Sequence, residues 1–168
     1  FEPGFIPSGL SVSAGLAHTP LNLSQGEGNF FLQPGAVFWV DGDGHLGVTQ
    51  STRFAKYPPT DIQYATQSGP ALLLNGEVHP AFNPDSNNTR LRSGVGVLSP
   101  HQAVFLRSED EVRFFDFAEV FQERFGCEDA LFLDGTISEM LTGSEPAKEQ
   151  RLPFAGIWVV SDSGVLQE

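Results

Sequence analysis

The sequence predicts an α+β fold with a core of mostly antiparallel β-sheet and one or two packed helices. Its 168 residues have the length of one ordinary domain, and an apolar share of 40% is enough for a core. Gly and Pro occur 18 and 12 times and are spread evenly along the chain, whereas charged residues make up only 18%. Frequent turn residues and few charges favour many short strands, and no composition shift divides residues 1–168 into two domains.

Two hairpins are predicted from their turns. Residues 36–40 and 45–49 flank Asp41-Gly42-Asp43-Gly44, which resembles the start of a calcium loop but has His45 and Leu46 where a ligand and a glycine belong, so we interpret it as a turn. Residues 71–74 and 77–78 flank Asn75-Gly76, a pair typical of a type I′ turn. Short apolar runs predict further strands at 94–98, 103–107, 112–115, 130–133 and 156–161.

One helix is predicted between the strands at 112–115 and 130–133. Asp116 suits an N-cap, and Glu119 three residues later completes a pair that resembles a capping box. Gly126 supplies a stop signal at the other end. The apolar face of this helix is expected to consist of Phe117, Val120, Phe121 and Phe125.

The charge of the chain excludes two classes of partner. With 21 acidic and 9 basic residues the formal net charge is −12, which repels a nucleic-acid backbone and an anionic membrane surface alike. No stretch reaches the roughly 18 apolar residues of a membrane span, and the start shows no signal-peptide pattern. A single anion remains compatible with this charge, because one Arg in a pocket can bind a phosphate.

The side chains that bind metals are scattered along the chain. His18, His45, His79 and His101 show no metal-ligand spacing, and the single cysteine, Cys127, excludes an internal disulfide and a CxxC site. We therefore expect no metal and no cofactor. Cysteine usage leaves the cellular compartment open.

Asp134 is the first candidate for chemistry. It ends the fully apolar run 130–133, which predicts a strand buried on both faces, and an ionisable group there is costly unless it is paired or used. Ser138 follows four residues later, so a carboxylate and a hydroxyl share one loop. The alternative, an Asx turn that caps the next segment, stays open.

Two other segments offer polar groups beside glycines. Arg92 precedes Gly94 and Gly96, where backbone can approach a ligand closely and the guanidinium can fork onto a phosphate. The segment Gln67-Ser68-Gly69-Pro70 offers an amide and a hydroxyl before an apolar strand, although it lacks the GxSxG pattern of a serine nucleophile. A surface arginine before a strand is the equally simple alternative for Arg92.

Five segments, taken in order, resemble the phosphodiester glycosidase family, which includes bacterial domains and the lysosomal mannose 6-phosphate uncovering enzyme. The resemblance covers most of the chain, although Thr136-Ile137 replace the glycine-rich sequence that follows the aspartate in the uncovering enzyme. The segments are Gly28-Asn29-Phe30-Phe31 with Val37-Phe38, Ala65–Pro70, Arg92–Val97, Phe115–Ala118 and Leu133–Ser138.

The resemblance implies a hydrolase that cleaves the glycosidic bond of sugar–phosphate diesters, with cell-envelope or exopolysaccharide material as substrate and a periplasmic or secreted location. It assigns catalytic roles to Asp134 as acid/base or charge stabiliser, to Arg92 on the phosphate and to Ser138. Substrate-binding roles are implied for the matched residues Asn29, Gln67, Ser68, Gly69, Gly94, Gly96 and Gly135. We expect Arg92, Asp134, Ser138 and Gln67 or Ser68 to converge on one pocket, with the Asp134 carboxylate largely buried and held by Arg92 or backbone donors.

Two other readings remain. A non-enzymatic domain that binds glycans or glycan phosphates keeps Arg92 and needs no general acid. It favours aromatic platforms exposed in a groove, whereas Trp39 and Trp158 both sit in apolar strand patterns. A structural reading makes the turns merely architectural.

The first residues predict that the chain lacks the start of its fold. Phe1-Glu2-Pro3-Gly4-Phe5 has the pattern of a loop inside a domain, and the resemblance places several strands and an Asn-Gly-Gly turn before it. An unfinished sheet exposes an edge, so we expect a homodimer, a strand swap or association with the missing N-terminal segment, and weak catalysis by the chain alone.

Overall fold

The computed structural model describes residues 4–135, 137–143 and 156–161. Two short helices interrupt a series of strands: α1 spans Ser51–Lys56, and α2 spans Phe114–Glu119 and continues as a π-helical turn over Val120–Arg124. The strands are β1 (Ser11–Ser13), β2 (Leu16–Thr19), β3 (Ala36–Asp41), β4 (Leu46–Gln50), β5 (Ile62–Ser68), β6 (Ala71–Leu74), β7 (Glu77–Val78), β8 (Ser93–Ser99), β9 (Gln102–Arg107) and β10 (Ala130–Asp134).

The strands form two five-stranded antiparallel sheets that pack face to face. The first sheet has the order β2-β1-β5-β3-β4, and the second has the order β7-β6-β10-β8-β9. Mostly antiparallel sheet with few helices is the predicted fold class, which is thereby confirmed. The core between the sheets consists of Ala36, Phe38 and Val48 from the first sheet against Ala71, Val95 and Leu131 from the second.

Each sheet also buries part of its outer face. Because side chains alternate between faces, Val37 of β3 and Ala65 of β5 lie on the far side of the first sheet, where they pack with Phe54 of α1. On the far side of the second sheet, Phe117 and Phe121 of α2 are buried. Apolar residues on both faces explain why β3 and β10 are continuous apolar runs.

Both predicted hairpins are present. Asn75 and Gly76 have φ values of 51° and 78°, as a type I′ turn requires, and they join β6 to β7. In the other hairpin the Asp41 carboxylate accepts hydrogen bonds from the backbone N–H groups of Asp43 and His45, at 3.0 and 2.8 Å. That carboxylate therefore shapes the turn.

The helix α2 begins two residues before the predicted N-cap. Arg113 occupies the cap position, and Asp116 lies inside the first turn, where its carboxylate accepts a forked pair from the Arg113 guanidinium at 2.7 and 2.8 Å. The prediction for Asp116 is wrong because this ion pair uses the oxygens that a cap would need. The stop is confirmed, since Gly126 has φ 67°.

Two strand predictions are wrong. Within 112–115, Val112 forms only an isolated bridge with Arg90, and the chain then enters α2. Residues 156–161 have no regular secondary structure and pair with no other described strand; all but Trp158, which packs on Phe38 and Phe105, are exposed. The strand β5 was not predicted, because its sequence shows no continuous apolar run. It lies between β1 and β3, whose backbones pair with it on both sides.

Gly94 and Gly96 make room for the helix and not for a ligand. A Cβ on Gly94 would lie 3.2 Å from the Phe117 ring, and a Cβ on Gly96 would lie 2.6 Å from the Phe121 ring and 2.7 Å from the Cys127 sulfur. Both glycines are buried on the face of the second sheet that α2 covers. Their predicted role in binding substrate is therefore corrected to helix packing.

Gly96→Ala is expected to destabilise the fold by about 2 kcal/mol, because the new methyl forces Phe121 or Cys127 out of place. Urea unfolding measures the loss. In the double variant Gly96→Ala/Phe121→Leu the smaller ring leaves space, so the total loss should be less than the sum of the two single losses. Additive losses would contradict this origin.

No helix in the described part of the chain is long and apolar enough to cross a membrane. The expected dimerisation or strand exchange stays a prediction, which light scattering on the purified chain tests.

Candidate functional site

Polar side chains meet at one end of the second sheet. Ser93 of β8 pairs with Asp134 of β10 on one side and with Arg107 of β9 on the other, so the three residues form a row across neighbouring strands. Strands lie about 4.8 Å apart, which puts Asp134 and Arg107 about 10 Å from each other. With Ser68 and Ser138, described below, these half-buried residues form what we call the Asp134 cluster.

A β-bulge determines where Asp134 lies. Phe132 pairs with Gly94 and Asp134 with Ser93, so Leu133 is an extra residue that re-aims the end of β10. The Asp134 carboxylate accepts a hydrogen bond from the Gly135 backbone N–H at 2.6 Å. It is half-buried and not deeply buried, and no ion pair joins it to Arg92 in the part of the chain described.

Ser138 returns to the same place through the loop after β10. Its hydroxyl lies 2.7 Å from the hydroxyl of Ser93, which also donates to the Asp134 carbonyl at 3.2 Å. The Arg107 Nε donates to the Ser138 carbonyl at 2.8 Å. Two hydroxyls and a guanidinium thus lie beside the end of β10, where they contact the Asp134 and Ser138 carbonyls; a shared substrate pocket for Asp134 and Ser138 stays a prediction.

Ser68 belongs to the cluster, and its neighbour Gln67 does not. Ser68 pairs with Ala36 on the face between the sheets, and its hydroxyl donates to the Leu133 carbonyl at 3.4 Å. Gln67 lies on the opposite face, where its Oε1 accepts from the Leu10 and Asn22 N–H groups at 3.0 and 2.8 Å. Alternation along β5 separates these two residues, so Gln67 is corrected to a structural cross-link.

Arg92 does not reach the cluster. It is 1% exposed, and its guanidinium lies 3.5 Å from the centre of the Phe114 ring, on the helix side of the second sheet. Its Nε and Nη2 donate to the carbonyls of Val112 and Asn88 at 2.8 and 3.1 Å. The predicted convergence is wrong for Arg92, because it precedes Ser93 and therefore projects from the other face.

The remaining matched residues have structural contacts. A Cβ on Gly69 would lie 2.5 Å from the Phe30 carbonyl and 3.0 Å from that of Asn29, so the glycine admits close packing of the short 3₁₀ turn Asn29–Phe31. Asn29 itself is exposed. Gly135 places its N–H on Asp134, and a Cβ there would lie 3.2 Å from the Leu91 carbonyl.

Arg107 is the residue that sequence reasoning missed. In the described part of the chain its Nε is hydrogen-bonded to Ser138, whereas no hydrogen bond engages its two Nη groups. The run 102–107 predicted a strand, and the register of that strand against residues 93–99 would have placed Arg107 opposite Ser93. The register between two strands depends on the tertiary structure. The sequence of residues 102–107 alone therefore could not place Arg107 opposite Ser93.

Neither tryptophan offers an exposed platform for a sugar. The Trp39 indole N–H donates to the Thr49 hydroxyl at 3.0 Å, and its ring packs into the outer core of the first sheet. Trp158 lies with its ring centre 4.9 Å from that of Phe38, between the sheets. A simple glycan-binding groove would expose an aromatic ring as a platform for the sugar. Neither of the two tryptophans, both of which the structure describes, does so.

A cavity of about 170 Å³ lies away from the Asp134 cluster, against the β6–β7 hairpin. It is lined in part by His79, which is buried and stacks on Phe82, and burial lowers the pKa of its imidazole. Within the described ranges, no group of three or more His, Cys, Asp or Glu side chains could hold a metal ion.

The fold and the cluster define a class: an antiparallel two-sheet domain with a carboxylate, hydroxyls and a guanidinium at one end of its sheets. The chain belongs to the phosphodiester glycosidase family, whose sequence profile matches residues 2–161. The resemblance found in the sequence is thereby confirmed.

Two known proteins are similar to the chain. The uncharacterized protein YigE of Escherichia coli K12 is 38% identical over 164 residues, which cover 98% of this chain and 63% of that protein. The catalytic domain of zebrafish N-acetylglucosamine-1-phosphodiester alpha-N-acetylglucosaminidase, auto-inhibited by its pro-peptide, is 17% identical with a TM-score of 0.52, over 77% of this chain and 46% of that one. The chain thus spans less than two thirds of the length of both, and the second likeness shows the fold alone.

Proposed function

We propose that the protein hydrolyses the glycosidic bond of sugar–phosphate diesters, with the Asp134 cluster as its active site. The observation that carries the proposal is the meeting of Asp134, Ser93, Ser138 and Arg107 at one end of the fold, in a chain of this family. In the reaction, water adds to the anomeric carbon, the bond from that carbon to the phosphate oxygen breaks, and a free sugar and a phosphomonoester leave.

One carboxylate suffices for this chemistry. A phosphomonoester is a good leaving group and needs little protonation, so the enzyme must mainly stabilise positive charge at the sugar ring and deprotonate the attacking water. Asp134 is half-buried and keeps one carboxylate oxygen on the Gly135 N–H, which leaves the other oxygen for these tasks. The hydroxyls of Ser93 and Ser138 orient the substrate.

Arg107 is proposed to bind the phosphate in place of Arg92. Its Nε is fixed by the Ser138 carbonyl, so the planar guanidinium is pre-oriented, and its outer edge can fork onto two phosphate oxygens. Its separation of about 10 Å from Asp134 across three strands is enough to place a sugar ring between the two groups. A lone guanidinium also offsets the repulsion between a phosphate and a chain of net charge −12.

The natural substrate is proposed to be cell-envelope or exopolysaccharide material, met in the periplasm or outside the cell. The family membership and the polar, half-buried cluster support a carbohydrate ligand. The test is to incubate the protein, in the longest form that its gene encodes, with a panel of sugar-1-phosphate diesters and to measure both products. Release of alcohol with the sugar phosphate intact would point to a phosphodiesterase instead, and no turnover on any diester would overturn the proposal.

Arg107→Gln is expected to raise KM for the diester by about tenfold with little change in thermal stability, because one charge-assisted contact is lost. Steady-state kinetics measure the change. The matched control is Arg124→Gln, which removes an exposed guanidinium from the end of α2 and should leave KM unchanged. Equal KM values for the two variants would contradict the role of Arg107.

A further inference from the structure

Exposed apolar side chains are concentrated in two short segments of the chain, residues 137–143 and 156–161. Together these segments are thirteen residues long, and they hold five of the fourteen large apolar side chains that are exposed in the described part of the chain. Single exposed apolar residues are ordinary on a protein surface, whereas a concentration of them indicates a site that meets another molecule. The five residues are Met140, Leu141, Ile157, Val159 and Val160.

The first of these segments is attached to Arg107. The Arg107 Nε donates to the Ser138 carbonyl at 2.8 Å, and the Ser138 N–H donates to the Gly135 carbonyl at 3.0 Å, which fixes the path of the loop. Met140 and Leu141 follow two and three residues later, so their Cα atoms lie within about 11 Å of that of Ser138. Their exposed side chains are therefore near the guanidinium that is proposed to bind the phosphate.

The second segment reaches the same strand through Trp158. Its ring packs on that of Phe105, with ring centres 6.2 Å apart. Phe105 and Arg107 are two residues apart on β9, so their side chains project from the same face of the strand, about 7 Å from each other. Because Trp158 is anchored there, its neighbours Ile157 and Val159 are held at the surface, where they are 73% and 60% exposed.

The position of this apolar surface matches one part of a sugar–phosphate diester. If the phosphate lies on Arg107 and the sugar lies between Arg107 and Asp134, the alcohol on the other side of the phosphate extends away from Asp134. It then meets the two apolar segments, and an apolar alcohol gains by leaving water there. An anionic alcohol is disfavoured, because the exposed Glu139 and the formal net charge of −12 repel it.

We propose that these exposed apolar side chains bind the aglycone of the substrate, and that the aglycone is an alcohol with a long apolar chain. The inference rests on the proposed function, which places the phosphate on Arg107. The bond from the anomeric carbon to the phosphate oxygen breaks, and water gives its hydroxyl to the sugar and its other proton to the phosphate or the solvent. The alcohol stays on phosphorus and leaves as an alkyl phosphomonoester.

The kinetic test compares two diesters of the same sugar 1-phosphate, one with methanol and one with octanol as the alcohol. We expect KM for the octyl diester to be at least about tenfold lower, because burial of roughly two or three methylene groups is enough for that factor. Turnover of both diesters with equal KM values would overturn this inference and leave the proposed function standing. Turnover of neither would overturn both.

A double variant tests which residues provide the preference. In Ile157→Ser/Val159→Ser the ratio of the two KM values should fall to about one, and the melting temperature should change little because both side chains are exposed. Leu16→Ser is the matched control, since Leu16 is 67% exposed on β2, three strands away from β3 in the first sheet, and it should keep the wild-type ratio. An unchanged ratio in the double variant, or an equal loss in the control, would contradict the proposed surface.

Binding of the products tests the same surface without turnover. In calorimetric titrations the wild type should bind octyl phosphate at least about tenfold more tightly than methyl phosphate, and the double variant should bind the two alike. Light scattering on the same samples tests a second copy of the chain as the alternative occupant. A wild-type dimer that becomes a monomer in the double variant, with equal binding of the two phosphates by the wild type, would overturn the proposal.

Discussion

Asp134→Asn is expected to lower kcat by about 10²–10⁴-fold while the protein stays folded. The amide keeps the shape of the carboxylate, and its oxygen can still accept the hydrogen bond that the Gly135 N–H donates at 2.6 Å. It has neither the charge to stabilise an oxocarbenium-like centre nor the basicity to activate water. The measurement is turnover of the best sugar-phosphate diester, with thermal unfolding recorded on the same samples.

Asp129→Asn is the matched control for that experiment. Asp129 precedes β10 as Asp134 ends it, and its carboxylate accepts from the Asn75 N–H at 2.9 Å, a bond that an amide oxygen can also accept. Burial raises the pKa of Asp129, so the charged form is disfavoured in the fold and its removal should not destabilise. Full turnover by Asp134→Asn, or an equal loss in Asp129→Asn, would remove Asp134 from the active site.

Arg92→Met is expected to destabilise the protein by about 3 kcal/mol, the largest effect on stability predicted for this chain. The guanidinium is almost fully buried; without it the Asn88 carbonyl would lose the hydrogen bond from Nη2, and the Val112 carbonyl would keep only the one from the Arg90 N–H. Burial lowers the pKa of Arg92 to about 10, with a smaller effect of the Arg90 charge, so the side chain still carries its charge at neutral pH. Urea unfolding measures the loss.

Arg90→Met is the control that distinguishes the stabilising role of the buried Arg92 guanidinium from the loss of one positive charge. Arg90 is exposed two residues earlier and donates to the neighbouring Thr89 carbonyl, so its loss should change stability by less than about 0.5 kcal/mol. If Arg92 instead bound the phosphate, Arg92→Met would raise KM and leave the unfolding free energy unchanged. That result would restore the role that the family resemblance implied.

The sequence by itself determined the turns and strand ends that depend only on neighbouring residues. The Asn75-Gly76 turn needs two positive φ values that these residues accept, and Gly126 stops α2 for the same reason. The fully apolar run before Asp134 required a strand buried on both faces, which fixed that aspartate at a strand end. The alternation of turns and short apolar runs was enough for the fold class, and the ordered motifs were enough for the family.

Only the tertiary structure decided which side chains meet. A shift of one residue along a strand moves a side chain to the other face, and so Ser93 joins the Asp134 cluster while Arg92 lies under Phe114. Arg107 belongs to the Asp134 cluster because it pairs with Ser93 on the neighbouring strand, and no sequence pattern within residues 102–107 indicates that pairing. His45 and His101 meet because two sheets pack face to face. Register and sheet packing depend on residues far apart in sequence, whereas turns and strand ends depend on near neighbours.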